Sequence, residues 1–176
     1  ALDAGVKIFS ETPVTQIANR KTTFTLTTTN GQVTAQHLIS ATNAYTDQAQ
    51  LWLRRRLIPV ISEMIATEKL GTNRVRALMP KLNMFGESKQ LGHYYRSSPD
   101  GERIILGGRR MHKQENFAKQ RLHNGLTEIF PELKDTKIDA YWRGFVAFPF
   151  DQLPKLAVHK GIIYPSGFCG SGTVWA

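Results

Sequence analysis

Three glycines near the C-terminus stand at a G-x-x-G-x-G spacing within Gly167-Phe168-Cys169-Gly170-Ser171-Gly172-Thr173. Glycine admits positive φ and lets another group approach the backbone closely. Upstream, Ile162-Ile163-Tyr164 predicts a short buried strand, which Pro165 ends by withholding a ladder donor. Downstream, Ser171 and Thr173 are candidate caps of a helix whose N–H groups and dipole point into the turn. A strand, a glycine turn and a helix start together seat an anionic or electron-rich ligand. The same pattern also serves as a tight turn that only packs. It is not the G-x-G-x-x-G of a first Rossmann turn.

A second group lies on an alternating strand, His93-Tyr94-Tyr95-Arg96. At period two His93 and Tyr95 share one face, and Tyr94 and Arg96 share the other. Tyr94 and Arg96 are candidates for a substrate pocket or for plain hairpin decoration, whereas His93 has the setting of a structural histidine. Tyr141 and Trp142 suit core and wall better than chemistry. No catalytic acid or base can be named. The single cysteine, Cys169, excludes an internal disulfide and fits a reducing, cytoplasmic setting. Neither a base nor a metal-ligand spacing accompanies it, so it is expected to be a small buried hydrophobe and no metal site is expected.

The 176 residues allow one good core or pieces of two domains, and 41% hydrophobic with 21% charged residues suits a globular chain. No apolar run reaches membrane-spanning length, and no secretory leader pattern opens the sequence. The net charge of +9 gathers in Arg54-Arg55-Arg56, in Arg109-Arg110 with His112-Lys113, and in Lys119, Arg121 and His123. Such a balance favours acidic partners. The runs are short and lack an aromatic RNA signature or a recognition helix, so a basic nucleic-acid-binding module stands only as an alternative. The sequence opens at Ala1 and closes before a final helix could make a turn, as an excised piece would.

Alternation predicts a strand from Gly5 to Phe9, continuing through Val14 to Ile17 after Pro13. Phe24–Thr29 and Gln32–Ala35 flank Asn30-Gly31, a type I′ hairpin signal that needs positive φ twice. The second arm runs on through His37 to Asn43. Thr46-Asp47 caps a short helix through Trp52. Leu57–Thr67 is a long strand with Pro59 near its start. Leu91–Arg96 pairs with Arg103–Leu106 across Ser98-Pro99-Asp100-Gly101, and Gly107-Gly108 ends that arm. Phe117, Ala118, Leu122, Leu126, Ile129 and Phe130 mark one face of a helix over 115–130, which Pro131 stops. Ile138–Val146 is the last strand before Asp151-Gln152-Leu153-Pro154.

Several stretches in this order carry a resemblance. They are Gly5-Val6 through Pro13-Val14, Ile39-Ser40-Ala41-Thr42-Asn43-Ala44-Tyr45-Thr46, and Ile58-Pro59 through Thr67-Glu68. Tyr94-Tyr95-Arg96 through Leu106-Gly107-Gly108, Phe130-Pro131-Glu132-Leu133 and Trp142-Arg143-Gly144 follow. Asp151-Gln152-Leu153-Pro154 and the glycine stretch complete the series. The chain resembles the C-terminal two-thirds of flavin-dependent oxidases of the D-amino acid oxidase superfamily, nearest to gamma-glutamylputrescine oxidase-like amine oxidases. The resemblance implies an α+β fold. Residues 1–50 and 148–176 would form part of an FAD-binding domain, with an antiparallel-sheet substrate domain, 51–147, inserted. It implies that Val14 touches the adenine side and that Ala41 and Thr42 lie near the pyrophosphate. Trp142, Gly144 and Gly167, Phe168, Cys169, Gly170, Ser171, Gly172 and Thr173 would line the flavin, with Tyr94 and Arg96 toward the substrate. A helix N-terminus aimed at the flavin would stabilise the negative charge that develops there when an amine gives up a hydride.

Departures from the family pattern shape the expectation. The nucleotide-clamping glycine turn of the superfamily lies upstream and is absent, so an N-terminal FAD-binding segment is missing. FAD binding by this piece would then be weak or absent, and the isolated chain inactive. Val146 and Val174 stand where amino-acid-oxidising members hold a substrate carboxylate with arginine or lysine, which favours a small-molecule amine. No cysteine lies near Phe148, so the flavin would be non-covalent. Ser171 replaces the family's usual histidine. A non-catalytic remnant that binds no cofactor is the other alternative.

Overall fold

A computed structural model of the chain describes residues 2–89, 91–110 and 114–172. In chain order the elements are β1 (Val14–Arg20), β2 (Thr23–Thr28), β3 (Gly31–Ala35), β4 (Leu38–Ile39), α1 (Leu51–Arg54), β5 (Ile58–Thr67) and α2 (Thr72–Leu78). They continue with β6 (Phe85–Gly86), β7 (Tyr94–Ser97), β8 (Ile104–Arg109), α3 (Glu115–Ile129), β9 (Ile138–Phe148), β10 (Lys155–His159) and β11 (Ile162–Ser166). This is a mixed fold of helices and largely antiparallel sheets. The chain forms two compact units, one from 1–59 with 146–176 and the other from 60–145.

The first unit holds two three-stranded sheets, β1-β2-β3 and β10-β11-β4. Phe24, Leu53, Ile162 and Tyr164 form its core, with Ile17, Leu26, Leu38, Trp52 and Leu57 packed against them. Asp47 caps the turn that leads into α1, its carboxylate accepting from the Ala49 N–H at 2.9 Å.

Several local expectations change. Residues 5–9 take no strand partner, and the first ladder begins at Val14. Asn30-Gly31 does sit at a hairpin tip, but the two loop residues are Thr29 and Asn30, and only Gly31 has positive φ. Thr28 replaces the mirror-image turn: its hydroxyl accepts from the Asn30 N–H and donates to the Gly31 carbonyl. The arm after Ala35 does not continue; Leu38–Ile39 leaves for the other sheet. Pro165 does not end its strand. It faces Leu156 within the β10–β11 ladder, which closes one residue later at Ser166 with Lys155. The type I′ geometry belongs instead to Lys160-Gly161, both at positive φ, between β10 and β11. The strand expected at Ile162-Ile163-Tyr164 is present as β11, whereas β10, its pairing with β11, α2 and β6 went unforeseen.

The second unit is a five-stranded sheet, β6-β7-β8-β5-β9, with α3 across one face. Ile65, Ile104 and Leu106 from the sheet meet Leu122, Leu126, Phe130 and Leu133. The helix face agrees with its periodicity except at Phe117, which is exposed. Gly107 and Gly108 lie inside β8 rather than after it, because other side chains occupy the space beside them. A Cβ on Gly107 would fall 2.0 Å from Met64 Sδ and 2.6 Å from the Tyr94 ring. Ser97 pairs with Ile104 across the predicted turn, in which Gly101 has φ of 70°.

His93 is structural, as its setting suggests. Its ring lies on Gly125 of α3, where a Cβ would come within 2.4 Å. Nδ1 stands 2.9 Å from Glu87 Oε2, and Nε2 lies 3.4 Å from Arg121 Nη1. A guanidinium only donates, so Nε2 is the acceptor and Nδ1 carries the proton given to Glu87.

Gly125→Ala is expected to lower unfolding stability by about 1–3 kcal/mol in a urea titration, through overpacking against His93. An acid titration of folding tests the same cluster. Hydrogen bonds from Lys89 and from the His93 backbone lower the Glu87 carboxyl from 4.5 to about 2. A depressed carboxyl stabilises the fold above its unfolded value and loses that contribution as pH falls. Stability should therefore drop between about 4.5 and 2, and less steeply in Glu87→Gln.

Candidate functional site

The only parallel pairing among the described residues, β4 with β11, sets Leu38 beside Ile162 and Ile39 beside Ile163. Both strands therefore end at the same edge, and ligands of open sheets bind beyond the carboxyl ends of parallel strands. Two loops meet there. The Ser40 N–H donates to the Ile163 carbonyl at 2.8 Å, and the Gly167 N–H donates to Asn43 Oδ1 at 2.9 Å.

The glycine turn is wound by left-handed residues at Gly167, Cys169 and Gly170, with φ of 72°, 54° and 85°. Pro149 closes against Gly167, where a Cβ would lie 2.8 Å from its ring. The Cys169 N–H donates to the Ala147 carbonyl, and the Ser171 N–H to the Phe168 carbonyl. Among the described residues no acceptor meets the N–H of Phe168 or Gly170. A Cβ on Gly172 would stand 2.8 Å from that of Phe168, so this glycine is required by the turn itself. Cys169 is half-buried rather than buried. Thr173 lies outside the described residues, as does the helix it was expected to cap.

Ala41 and Thr42 are exposed beside this turn. The Thr42 hydroxyl is tied to Thr46 Oγ1 at 2.7 Å and to Ser40 Oγ at 3.3 Å. Asn43 holds φ of 45° while its side chain reaches Gly167. Asparagine is the side chain that best tolerates that conformation after glycine, and this was the available signal for a residue the sequence reading passed over. Val14 is not on this strand pair. It opens β1 opposite Thr28, in the other sheet of the unit.

The remaining candidates lie on the second unit's sheet. The Tyr94 hydroxyl is hydrogen-bonded to Ser62 Oγ, and its ring covers Gly107. Trp142 and Gly144 follow Tyr141 on β9, and alternation turns them toward the face that carries Ser62 and Tyr94, away from α3. Trp142 is exposed, and Arg96 is exposed, its one contact among the described residues a long one to the Ser97 carbonyl.

The opposite face holds a buried acid that the strand pattern signalled by placing a charge between Ile61 and Ile65. Glu63 has no exposed surface; Oε1 accepts from the Tyr141 hydroxyl at 2.7 Å and lies 3.4 Å from Arg110 Nε. Burial, reinforced by Glu63, pushes the Tyr141 phenol up to about 12. This cluster anchors β9 to β5 from the helix side. Among the described residues no three His, Cys, Asp or Glu side chains gather as a metal site. No described helix is long and apolar enough to cross a membrane.

Comparisons with known proteins agree with this architecture. Gamma-glutamylputrescine oxidoreductase of Escherichia coli K12 is 31% identical over 172 residues, covering 96% of this chain and 40% of the relative. A probable oxidoreductase, OrdL, of Haemophilus influenzae is 28% identical over 97% of this chain and 40% of its own length. The chain thus spans 40% of these relatives, less than the two-thirds the resemblance suggested. Glycine oxidase from Geobacillus kaustophilus superposes with a TM-score of 0.77 at 18% identity, over 97% of this chain and 46% of that one. L-proline dehydrogenase from P. horikoshii gives 0.74 at 19%, over 97% and 48%. These two likenesses concern the fold. The profile of one family, DAO, FAD dependent oxidoreductase, matches residues 1–176. The chain therefore belongs to the DAO family of FAD-dependent oxidoreductases.

Proposed function

We propose that this chain is the part of an FAD-dependent amine oxidoreductase that seats the flavin end of the cofactor and presents the substrate. The family match over all 176 residues carries the reading. Residues 1–50 and 148–176 are assigned to the cofactor and 51–147 to the substrate.

The donor set fits a flavin. The N–H groups of Phe168 and Gly170, which meet no acceptor among the described residues, stand at the carboxyl edge of a parallel strand pair, beside exposed Ala41 and Thr42. Such donors suit a flavin carbonyl oxygen and the charge it gains on reduction. Gly167, Cys169, Ser171, Gly172 and Thr173 are assigned to the same seat, Val14 to the adenine side, and Trp142 and Gly144 to the flavin wall. Bound FAD supplies a two-electron acceptor for the hydride on the carbon that bears the amine, leaving an iminium that water hydrolyses. The Tyr94 hydroxyl, fixed by Ser62, orients the substrate by hydrogen bonding, and Arg96 stands on the same strand face. Val146 offers no partner to an α-carboxylate, so the substrate class is an amine rather than a simple α-amino acid.

The three-stranded sheet supports a longer whole. Parallel strands are normally covered on both faces. Here Ile39, Leu156 and Val158 are 63%, 78% and 70% exposed. We assign that face to chain present in the longer relatives, including the FAD-binding glycine turn. A non-covalent flavin and a cytoplasmic setting complete the proposal.

Titrating the 176-residue chain with FAD, followed by flavin fluorescence, should give weak or no binding, because the pyrophosphate clamp is missing. Stoichiometric tight binding would show that the local contacts suffice. The intact protein should be yellow, and anaerobic addition of a primary or secondary amine should bleach it faster than an α-amino acid does. Tyr94→Phe should raise KM roughly tenfold at unchanged flavin content. A colourless intact protein that takes up no FAD would establish the non-catalytic remnant.

A further inference from the structure

A second cleft lies within the first unit, behind the glycine turn. Trp52, Leu53 and Leu57 form one wall, and Pro149 and Ala157 the other. Its volume is about 380 Å³, within the range of small-molecule sites and equal to roughly a dozen water-sized volumes.

Three polar features make it more than an apolar gap. Ser166 lines it while only 2% exposed, and among the described residues nothing hydrogen-bonds its hydroxyl. Arg56 also lines it without an acidic partner among the described residues. Its guanidinium lies 4.2 Å over the Trp52 ring, and Nη1 donates to the Trp52 carbonyl at 2.6 Å. Lys155 and Asp151 neutralise one another as an ion pair at the same cleft. The net charge facing the cleft is therefore the single positive charge of Arg56. His159 stacks on Trp52 at 4.5 Å, which fixes the indole.

We propose that this cleft binds a small apolar monocarboxylate. The hydrocarbon body packs among Leu53, Leu57, Pro149 and Ala157, the carboxylate pairs with Arg56, and Ser166 donates the remaining hydrogen bond. Gly167, which opens the glycine turn, follows Ser166 directly and rests on Pro149, so an occupant touches both residues that shape the entry to the turn. The site does not depend on the flavin reading, and its test uses no flavin.

The probe is octanoate, with octanol and octylamine as neutral and cationic counterparts, titrated by calorimetry into the 176-residue chain. Octanoate should bind at one site per chain, at least tenfold more tightly than octanol, and octylamine more weakly still. Arg56→Gln should reduce octanoate affinity roughly tenfold and leave octanol unchanged. Ala157→Leu, which fills the cleft with an apolar side chain, should abolish octanoate binding while circular dichroism stays that of the parent. Equal affinity for octanoate and octanol, octanoate binding unchanged in Arg56→Gln or Ala157→Leu, or no octanoate binding to the parent would each overturn the assignment.

Discussion

One amide hydrogen organises the first unit. The Gly167 N–H is given to the side chain of Asn43, 124 residues earlier in the chain. It closes the junction that the short parallel ladder of β4 and β11 opens. Two hydrogen-bonded neighbours alone would fix strand direction, but not which loop residues stand beside the turn. With Asn43 held in a left-handed conformation, the Ala41-Thr42 segment is exposed at the strand edge instead of folding under it. The turn is specified just as narrowly. Gly167 is backed by Pro149, and Gly172 by Phe168.

The second unit solves a different problem, that of presenting polar groups on one sheet face while the other is packed. Its means is a buried charged cluster. Glu63 binds the Tyr141 phenol and Arg110 from the helix side, and Tyr94 with Ser62 occupies the reverse side of the same strands. Alternation makes these assignments mutually exclusive, since a one-residue slip of β5 would exchange Glu63 and Ser62 between faces. A charge without a partner on the packed side is costly enough to forbid that slip. Glu63 thus acts as a register pin, whatever stability it adds.

Much of this was legible from residue patterns and some was not, for identifiable reasons. The hairpin at Asp100-Gly101 and the helix ended by Pro131 are local decisions, made by turn chemistry and periodicity, and the structure has both. The family was legible from the joint order of weak stretches, and the whole-chain match bears it out. Asn30-Gly31 misled on turn type because Thr28 offered its hydroxyl to the loop, a side-chain option that dipeptide rules ignore. Lys160-Gly161 was overlooked for the converse reason: lysine gives no turn signal, yet the tight pairing of His159 with Ile162 imposes the mirror-image turn on it. Pro165 misled because a parallel partner leaves β11 after Ile163, where a missing donor is harmless. Glu63 escaped notice because a lone charge in an apolar strand is easily discounted until its partners on β9 and after β8 are known.

The discontinuity of the first unit carries a consequence for how the molecule is made. Synthesis delivers residues 1–59 before 146–176, so β4 cannot find β11 until β11 has emerged. All of 60–145 is available to fold before then, and its helix and adjacent hairpin bring their partners close in sequence. Closing the loop from Asn43 to Gly167 is the long-range step, and such steps are slow and leave apolar strand surface waiting in the meantime. The early half of the first unit is therefore a passenger during synthesis, with Phe24 and Leu53 exposed until Ile162 and Tyr164 arrive. Chaperone demand in this family member should be concentrated in that interval, set by the time needed to translate the intervening sheet.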